Sequence, residues 1–516
     1  MRQILVLAVA GCSAADAGLS GAFSETDALM EPSDPSFADT GGVAGGGPAE
    51  DESDRLQLPP AQTDRWVFLV DPLRDSLVRV GVEGADIASS PTGVGPTQVL
   101  TTSDLRTAVV LSPGDSTISL VDVDSLVAST VVVRDDLSRL QLSPDGAWAV
   151  AWFDAFAPDA LDLSDGLQSF SEASFVEVTT GRHFPMVVGY RPRQVNFTPD
   201  GRIAAVLSDD TLAIVDLSAP DPTIRVIALD PDTVEPPVAE EMVLDPGGTW
   251  AWVRRLGTDD LLVVDLVSGA VSEVRVGNNP TDLDLTADGA TAVVVCRDSA
   301  ELWLLQALNP TAPARVLVLD ADLQIGQVDL AATGDLGILY STAYLTERFT
   351  VWQIASDTLT PRALVKPIQS LALTPDGKGM IVFHTEADGA DSDPTFAGSS
   401  ALTVVDLSTL MAAPMSLPAP PLGHSMGNRH SVVVFEHTPL MVDIDHATLL
   451  HSDVLLSSDP VFTGLLPDLT PEDADSPRTW VSQEHDLGRI SFWDPDDETL
   501  ETITGFQLNG GVDTSP

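Results

Sequence analysis

A short phrase that recurs along the chain limits what this sequence can fold into. It consists of apolar residues, then Ser/Thr-Pro-Asp-Gly or a close variant, a short apolar run, a polar gap and a Val-Val-Asp-Leu line. The clearest copies occupy residues 142–146, 197–201, 285–289 and 373–377. Proline presets φ and glycine tolerates positive φ, so Pro-Asp-Gly predicts a tight turn. A repeat of this size predicts stacked β units that cannot bury their apolar faces alone.

The segments around these turns have the composition of short strands. Residues 147–152 read Ala-Trp-Ala-Val-Ala-Trp, and residues 211–217 read Thr-Leu-Ala-Ile-Val-Asp-Leu. Both are rich in β-branched or aromatic residues and are bounded by Gly, Pro, Asp or Ser, as strands usually are. Long amphipathic helical patterns do not separate them, which argues against a parallel α/β sheet. The sequence therefore predicts an all-β fold.

Ser-Pro-Asp-Gly, a strand and then Thr-Leu-x-Ile-Val-Asp-Leu together resemble the repeats of YVTN-type and WD-repeat-type β-propellers. The resemblance covers nearly everything from about residue 55 onward. It implies blades of four strands, in which the Pro-Asp-Gly turn joins the innermost strand to the second and the Val-Asp-Leu line forms the third. Radial repetition of this kind leaves only short strand edges.

The number of blades stays open at this point. Seven turn positions are clear, and they are Asp104, Asp145, Asp200, Gly247, Asp288, Thr333 and Asp376. Degenerate copies follow near residues 427 and 476, and a further candidate opens the domain at residues 55–71. We therefore predict one propeller over residues 55–516, with at least seven blades and eight to ten as the alternatives.

The first residues predict where in the cell the protein is located. Residues 1–11 read as a signal peptide, and Val9-Ala10-Gly11-Cys12 resembles a bacterial lipobox. The resemblance implies cleavage before Cys12 and attachment of a lipid to its sulfur, and Ser13 implies delivery to the outer membrane. The alternative is an ordinary signal peptide with a chance cysteine. We therefore expect a bacterial cell-envelope protein, anchored at the outer membrane or cell surface.

The segment that follows predicts a tether. Residues 12–54 are dominated by Ala, Gly, Ser, Asp, Glu and Pro and contain no Lys, Arg or His. Such a composition does not bury enough apolar surface to offset its ordering entropy, so it predicts a disordered linker.

The charge of the chain argues against one class of partner. Its formal net charge is −52, and only two of its 25 basic residues are lysines. A basic patch for nucleic acid or anionic lipid head groups is therefore not expected. With Cys12 lipidated, Cys296 stands alone, so we expect no intrachain disulfide in the mature chain.

Histidine placement suggests one metal site. Seven of the eight histidines lie from His384 onward, and His384, His437 and His485 each follow a second-strand run. With Glu436 and Glu484 they form a series that, on equivalent loops of one face, would hold Zn²⁺ or another divalent metal. The alternative is that Glu-His pairs at the ends of repeats are surface residues inherited by duplication.

Two long loops occupy the same topological place as these histidines. They run over residues 153–171 and 385–400 and are rich in aspartate. Oxygen-rich loops can hold Ca²⁺, but neither has the spacing of an EF-hand, so a solvated acidic loop is the favoured interpretation. Long loops on one face of a rigid scaffold are also where binding sites usually occur.

One motif is interpreted as coincidence. Residues 423–427 read Gly-His-Ser-Met-Gly and match the nucleophile elbow Gly-x-Ser-x-Gly around Ser425. That chemistry needs a strand entering the turn and a helix leaving it, whereas here a proline-rich loop leads into a strand-like run.

These observations favour a binding or scaffold module, anchored to the membrane through its lipid, that recognises a protein or glycan partner on the face carrying the long loops. Catalytic residues and organic cofactors are not indicated. The alternative is a metal-dependent hydrolase of lactonase type, which the propeller resemblance implies and for which the histidine series would supply the ligands. A structural envelope component without a small ligand is a third interpretation. Fold resemblance alone does not choose among them.

Overall fold

The computed structural model describes residues 61–82, 86–155, 170–231, 233, 236–466, 478–485 and 488–505. The predicted signal peptide, Cys12, the predicted linker to residue 54 and most of the loop 153–171 lie outside these residues. The described chain folds into ten antiparallel sheets in sequence order, nine with four strands and the first with three.

The sheets follow the repeat in register, and each is a blade whose strands are labelled A to D from the inside outward. Blade 1 contains strands B to D only. Blades 1 to 5 contain β1 (Trp66–Asp71), β2 (Ser76–Gly81), β3 (Ile87–Pro91); β4 (Gln98–Thr101), β5 (Thr107–Ser112), β6 (Thr117–Asp122), β7 (Ala128–Val132); β8 (Arg139–Leu142), β9 (Trp148–Trp152), β10 (Glu172–Glu177), β11 (Arg182–Val187); β12 (Gln194–Phe197), β13 (Ile203–Leu207), β14 (Thr211–Asp216), β15 (Thr223–Ala228); and β16 (Ala239–Leu244), β17 (Trp250–Arg255), β18 (Asp260–Asp265), β19 (Val271–Arg275).

Blades 6 to 10 contain β20 (Pro280–Leu285), β21 (Thr291–Cys296), β22 (Glu301–Gln306), β23 (Arg315–Val318); β24 (Gln327–Leu330), β25 (Leu336–Tyr340), β26 (Arg348–Gln353), β27 (Thr358–Ala363); β28 (Ile368–Leu373), β29 (Gly379–His384), β30 (Ala401–Asp406), β31 (Met411–Ser416); β32 (Pro421–Met426), β33 (His430–Phe435), β34 (Thr438–Asp445), β35 (Leu450–Leu455); and β36 (Pro460–Leu465), β37 (Thr479–Gln483), β38 (Arg489–Asp494), β39 (Thr499–Thr504). Short 3-10 turns cover Pro113–Asp115, Ala321–Leu323 and Pro394–Phe396.

The ring closes by packing the last blade against the first. Val67 and Val80 of blade 1 share one apolar cluster with Trp480 and Phe492 of blade 10. The Trp480 Nε1 group donates a hydrogen bond of 2.7 Å to the side-chain oxygen of Gln62. Gln62 also forms a β-bridge with Val67 and so stands where the other blades have their innermost strand. The molecule is thus a single all-β propeller, which confirms the predicted fold. It has ten blades, the highest of the predicted numbers.

The Pro-Asp-Gly turns join strand A to strand B, as predicted, and they touch one another around the axis. The Asp200 carboxylate accepts a 2.7 Å bond from the Thr198 hydroxyl and a bond from the Arg202 amide, which closes the turn. Gly201 has φ +69°, and a Cβ there would lie 2.6 Å from the Asp145 carboxylate of the preceding blade. Only glycine combines this conformation with that approach. The repeat therefore encodes both the turn and the contact between blades.

The aspartate of the Val-Asp-Leu line has a structural role of the same kind. It ends strand C, and its carboxylate accepts bonds from the next turn, as Asp216 does from the Ser218 amide at 2.9 Å. The Ser218 hydroxyl hydrogen bond is the main reason that the pKa of Asp216 lies below its usual value. Such Asx turns explain why a charged residue recurs at the end of an apolar strand.

Arginine side chains also connect neighbouring blades, through hydrogen bonds to backbone carbonyl groups. Arg225 of strand D in blade 4 donates to the backbone carbonyls of Leu266 and Val267 in blade 5. Arg79 of blade 1 donates at 2.8 Å to the Val123 carbonyl of blade 2. The guanidinium group can contact two acceptors at once, which suits it to this role better than an ammonium group.

The apolar core lies between adjacent blades. Trp152 and Phe175 of blade 3 pack with Val195 and Val206 of blade 4, and all four are buried. Cys296 is buried and free in a similar cluster, where burial raises the pKa of its thiol to about 12. No helix among the described residues is long and apolar enough to cross a bilayer.

Candidate functional site

Strand direction divides the connections between two faces of the disc. The A–B and C–D turns lie on one face, here called the turn face. The B–C loops and the connections from each blade to the next lie on the other, here called the loop face. The long loop 385–400 joins β29 to β30 and therefore lies on the loop face, where it was predicted.

The predicted histidines do not occupy equivalent positions. His384 is the last residue of β29 and pairs with Ile368 of the innermost strand. The residues paired in the same way in the next two blades are Phe435 and Gln483. His437 and His485 follow these two residues by two positions. The imidazole of His384 therefore leaves the backbone at a different position in its blade from the imidazoles of His437 and His485.

His384 is held inside the blade. Its ring nitrogens contact the Pro367 carbonyl oxygen at 3.1 Å and the Thr403 hydroxyl at 2.7 Å, and only 2% of the residue is exposed. Burial lowers the pKa of its imidazole to about 4. A buried imidazole with a contact at each nitrogen is a structural element of blade 8.

The remaining members of the predicted series lie near the surface. Glu436 and His437 form a tight turn between β33 and β34, with His437 exposed at φ +48°. Glu484 is exposed and His485 is half-buried after β37. Across the described ranges, no group of three or more His, Cys, Asp or Glu side chains is arranged to hold a metal ion. The metal site over the five residues stays a prediction that the geometry does not support.

The acidic loop 385–400 is organised around a lysine. The Lys366 ammonium donates to the Glu386 carbonyl at 3.0 Å and the Ser399 carbonyl at 2.8 Å, and lies 3.1 Å from the Asp388 carboxylate. Lys366 has no exposed surface, whereas the Asp388 side chain is 37% exposed. The oxygen atoms of this loop thus surround the ammonium group of Lys366, a cation that the chain itself supplies.

The Gly-x-Ser-x-Gly motif lies in a strand. Ser425 belongs to β32, the innermost strand of blade 9, and is buried with its hydroxyl 3.1 Å from that of Thr463. A nucleophile elbow requires a sharp turn into a helix. The interpretation of this motif as coincidence agrees with its position.

A cluster that the sequence did not single out lies on the loop face at blades 3 and 4. Its members are Phe170, Tyr190, Arg191, Arg193 and Asp209, here called the Tyr190 patch. The Arg193 Nε group lies 2.8 Å from one Asp209 oxygen, and the Arg191 Nε group lies 2.6 Å from the other. The Arg191 guanidinium lies 5.4 Å from the Tyr190 ring centroid. Two guanidinium groups share one carboxylate beside an aromatic ring that is 53% exposed.

Local backbone structure fixes this patch. The Arg191 amide donates 2.6 Å to the Phe170 carbonyl, and the Asp209 amide donates 3.1 Å to the Tyr190 carbonyl. Gly189 has φ +129°, and a Cβ there would lie 1.9 Å from the Thr211 hydroxyl. The Phe170 and Tyr190 ring centroids are 6.1 Å apart. The tyrosine is therefore presented outward by a segment that is bonded on both sides.

Other apolar side chains are exposed on the same face. Leu256 and Leu345, in the B–C loops of blades 5 and 7, are 58% and 53% exposed. A second tyrosine, Tyr344, lies half-buried in the blade 7 loop, 5.4 Å from the Arg297 guanidinium. The chain has three tyrosines, and their scarcity is the one sequence signal that could have drawn attention to Tyr190.

Comparison with known proteins gives fold-level similarities. No model of a known family matches the sequence, and no curated protein matches it. A structure of the dihydro-heme d1 dehydrogenase NirN in complex with DHE is 13% identical, with a TM-score of 0.43, and the match covers 69% of this chain and 74% of that one. A eukaryotic initiation factor structure is 11% identical, with a TM-score of 0.48 and coverage of 74% and 94%. The Cps50 (Swd1) β-propeller domain of Myceliophteria thermophila is 14% identical, with a TM-score of 0.35 and coverage of 56% and 93%. These values carry nothing about the activity of this chain.

Proposed function

We propose that this β-propeller is a binding module of the bacterial cell envelope that recognises a protein or glycan partner with its loop face. The fold is suited to binding or scaffolding because it holds loops from ten blades on one rigid ring. The observation that carries the proposal is the exposed Tyr190 ring with the paired charges of Arg191 and Asp209 beside it. Leu256 and Leu345 add exposed apolar surface on the same face. Aromatic side chains and arginine are enriched where proteins bind partners.

The test compares two matched sets of substitutions. Tyr190, Leu256 and Leu345 are changed together to serine in one variant. The control variant carries serine at Val127, Val267 and Leu308, which are 68%, 77% and 60% exposed in C–D turns of the turn face. Both variants remove exposed apolar surface, and neither opens a cavity. Full-length protein with Cys12→Ala is sedimented with bacterial envelope fractions. We expect the loop-face variant to bind at least about tenfold more weakly and the turn-face variant to bind normally. Equal binding by the two variants, or loss in the control alone, would contradict the proposal.

The second part of the proposal is a lipid anchor at Cys12. Its support is the lipobox-like Val9-Ala10-Gly11-Cys12 and the polar segment to residue 54. One acyl-bearing cysteine at the end of a long linker would attach the propeller to the membrane without a spanning segment. Mass spectrometry of the N-terminal peptide is expected to show a diacylglyceryl cysteine. A Cys12→Ala protein that still partitions with membranes in detergent phase separation would refute the anchor.

A further inference from the structure

We infer that the Tyr190 patch binds a neutral sugar residue of a glycan, an assignment that rests on the proposed function and names its ligand class. The first argument is the exposed tyrosine ring. A sugar ring presents a face of C–H groups that packs on an aromatic plane. Tyr190 offers such a plane at 53% exposure, and the Phe170 ring supports it from one side.

The second argument is the polar edge of the patch. Guanidinium and carboxylate groups are planar and present donors and acceptors in fixed directions, which suits them to pairs of neighbouring hydroxyls. The Arg191 side chain is 28% exposed and the Asp209 side chain 12% exposed, so both reach the surface beside the ring. Arg191, Arg193 and Asp209 hold one another at 2.8 Å or less, so the edge is already ordered before a ligand arrives.

The third argument is charge, which favours a neutral ligand over an acidic one. The chain carries a formal net charge of −52, which repels polyanions at long range. Within the patch, Asp209 already occupies the guanidinium groups of Arg191 and Arg193. The Asp209 carboxylate would repel a carboxylate ligand bound beside it, whereas hydroxyl groups can bond to the edge of the pair without this repulsion. A neutral sugar is therefore the favoured ligand.

The experiment uses the full chain in detergent and four probes, namely maltohexaose, cellohexaose, mannohexaose and the acidic comparator hexagalacturonate. Saturation-transfer NMR and calorimetry measure binding to the wild type and to three variants. Tyr190→Ala removes the ring, Tyr190→Phe keeps it, and Tyr344→Ala removes the other loop-face tyrosine that lies beside an arginine.

We expect at least one neutral hexaose to bind the wild type. Tyr190→Ala should weaken that binding about tenfold, equal to about 1.4 kcal/mol, while Tyr190→Phe and Tyr344→Ala stay within about threefold. Affinity for the neutral sugar should be insensitive to salt, because no ionic contact is made with the ligand. Binding of hexagalacturonate alone, absence of binding to all three neutral hexaoses, or an unchanged Tyr190→Ala affinity would overturn the assignment. If envelope binding still depends on the loop face while no hexaose binds, the proposed function stands with a protein partner and the sugar assignment fails.

Discussion

Replacing Lys366 with methionine tests the account of the long loop most sharply. Methionine keeps most of the apolar stem and removes the ammonium group. Two backbone carbonyls then lose a charged donor at 3.0 and 2.8 Å, and the Asp388 carboxylate loses its partner at 3.1 Å. Hydrogen bonds to charged groups contribute about 1.5 to 3 kcal/mol each. The Asp388 contribution is discounted, because its side chain is 37% exposed and therefore screened by solvent.

Water can reach part of the opened site, so the full sum is not expected. We predict that Lys366→Met reduces the free energy of opening of residues 385–400 by about 2 to 4 kcal/mol. Hydrogen exchange resolved by peptide measures this quantity directly, and the amides of residues 385–400 should exchange at least about thirtyfold faster. Gly398, whose amide donates to Asp388 at 3.2 Å, lies in that segment.

The matched control is Lys378→Met. Its ammonium group pairs with Asp376 at 2.9 Å, but its side chain is 76% exposed, so the change should cost less than about 1 kcal/mol. If Lys366→Met and Lys378→Met give the same exchange rates over residues 385–400, the loop is not organised by its buried cation and the reasoning is wrong.

Two further predictions concern the turn ring and the buried histidines. Gly201→Ala should destabilise the protein by about 2 to 3 kcal/mol in urea unfolding, because it adds a left-handed alanine and a Cβ 2.6 Å from Asp145. The control Gly95→Ala, with φ +60° and nothing within 4 Å, should cost only about 1 kcal/mol. Equal effects of the two substitutions would argue against the contact between turns. Burial lowers the pKa values of His384 and His446 to about 4, against 6.5 when unfolded, so below pH 6.5 the unfolded state binds more protons and stability should fall as the pH falls towards 4. Between these pKa values, each histidine should change the free energy of unfolding by about 1.4 kcal/mol per pH unit. If the free energy of unfolding depends on pH in the same way in His384→Gln as in the wild type, His384 does not contribute to that dependence.

The repeat and its architecture were predictable because turn chemistry acts locally. Pro-Asp-Gly and Val-Asp-Leu each close a turn through bonds within a few residues, as Asp200 and Asp216 show. The repeat does not fix the number of blades, because the end blades lack the Pro-Asp-Gly turn. In blade 1, Gln62 stands in for the innermost strand, and no turn motif marks that position.

The candidate site was less predictable, because side-chain surroundings depend on register and on distant residues. The predicted metal site required the Glu-His pairs and Phe383-His384 to lie at equivalent positions of successive blades. Counting from the turn positions 376 and 427 places His384 level with Phe435, and strand pairing confirms that count. Tyr190 and Asp209 come together through the pairing of β12 with β13, and Lys366 reaches a loop some twenty residues further on. Local patterns do not contain these contacts.

The central claim, that the loop face is the binding surface, is tested most directly by hydroxyl-radical footprinting of the full-length protein bound to envelope fractions. Tyr190, Leu256 and Leu345 should become protected on binding, while Val127 and Val267 of the turn face keep their reactivity. Protection of Val127 and Val267 with unchanged labelling of Tyr190 would show that the protein binds through its turn face and would contradict the account.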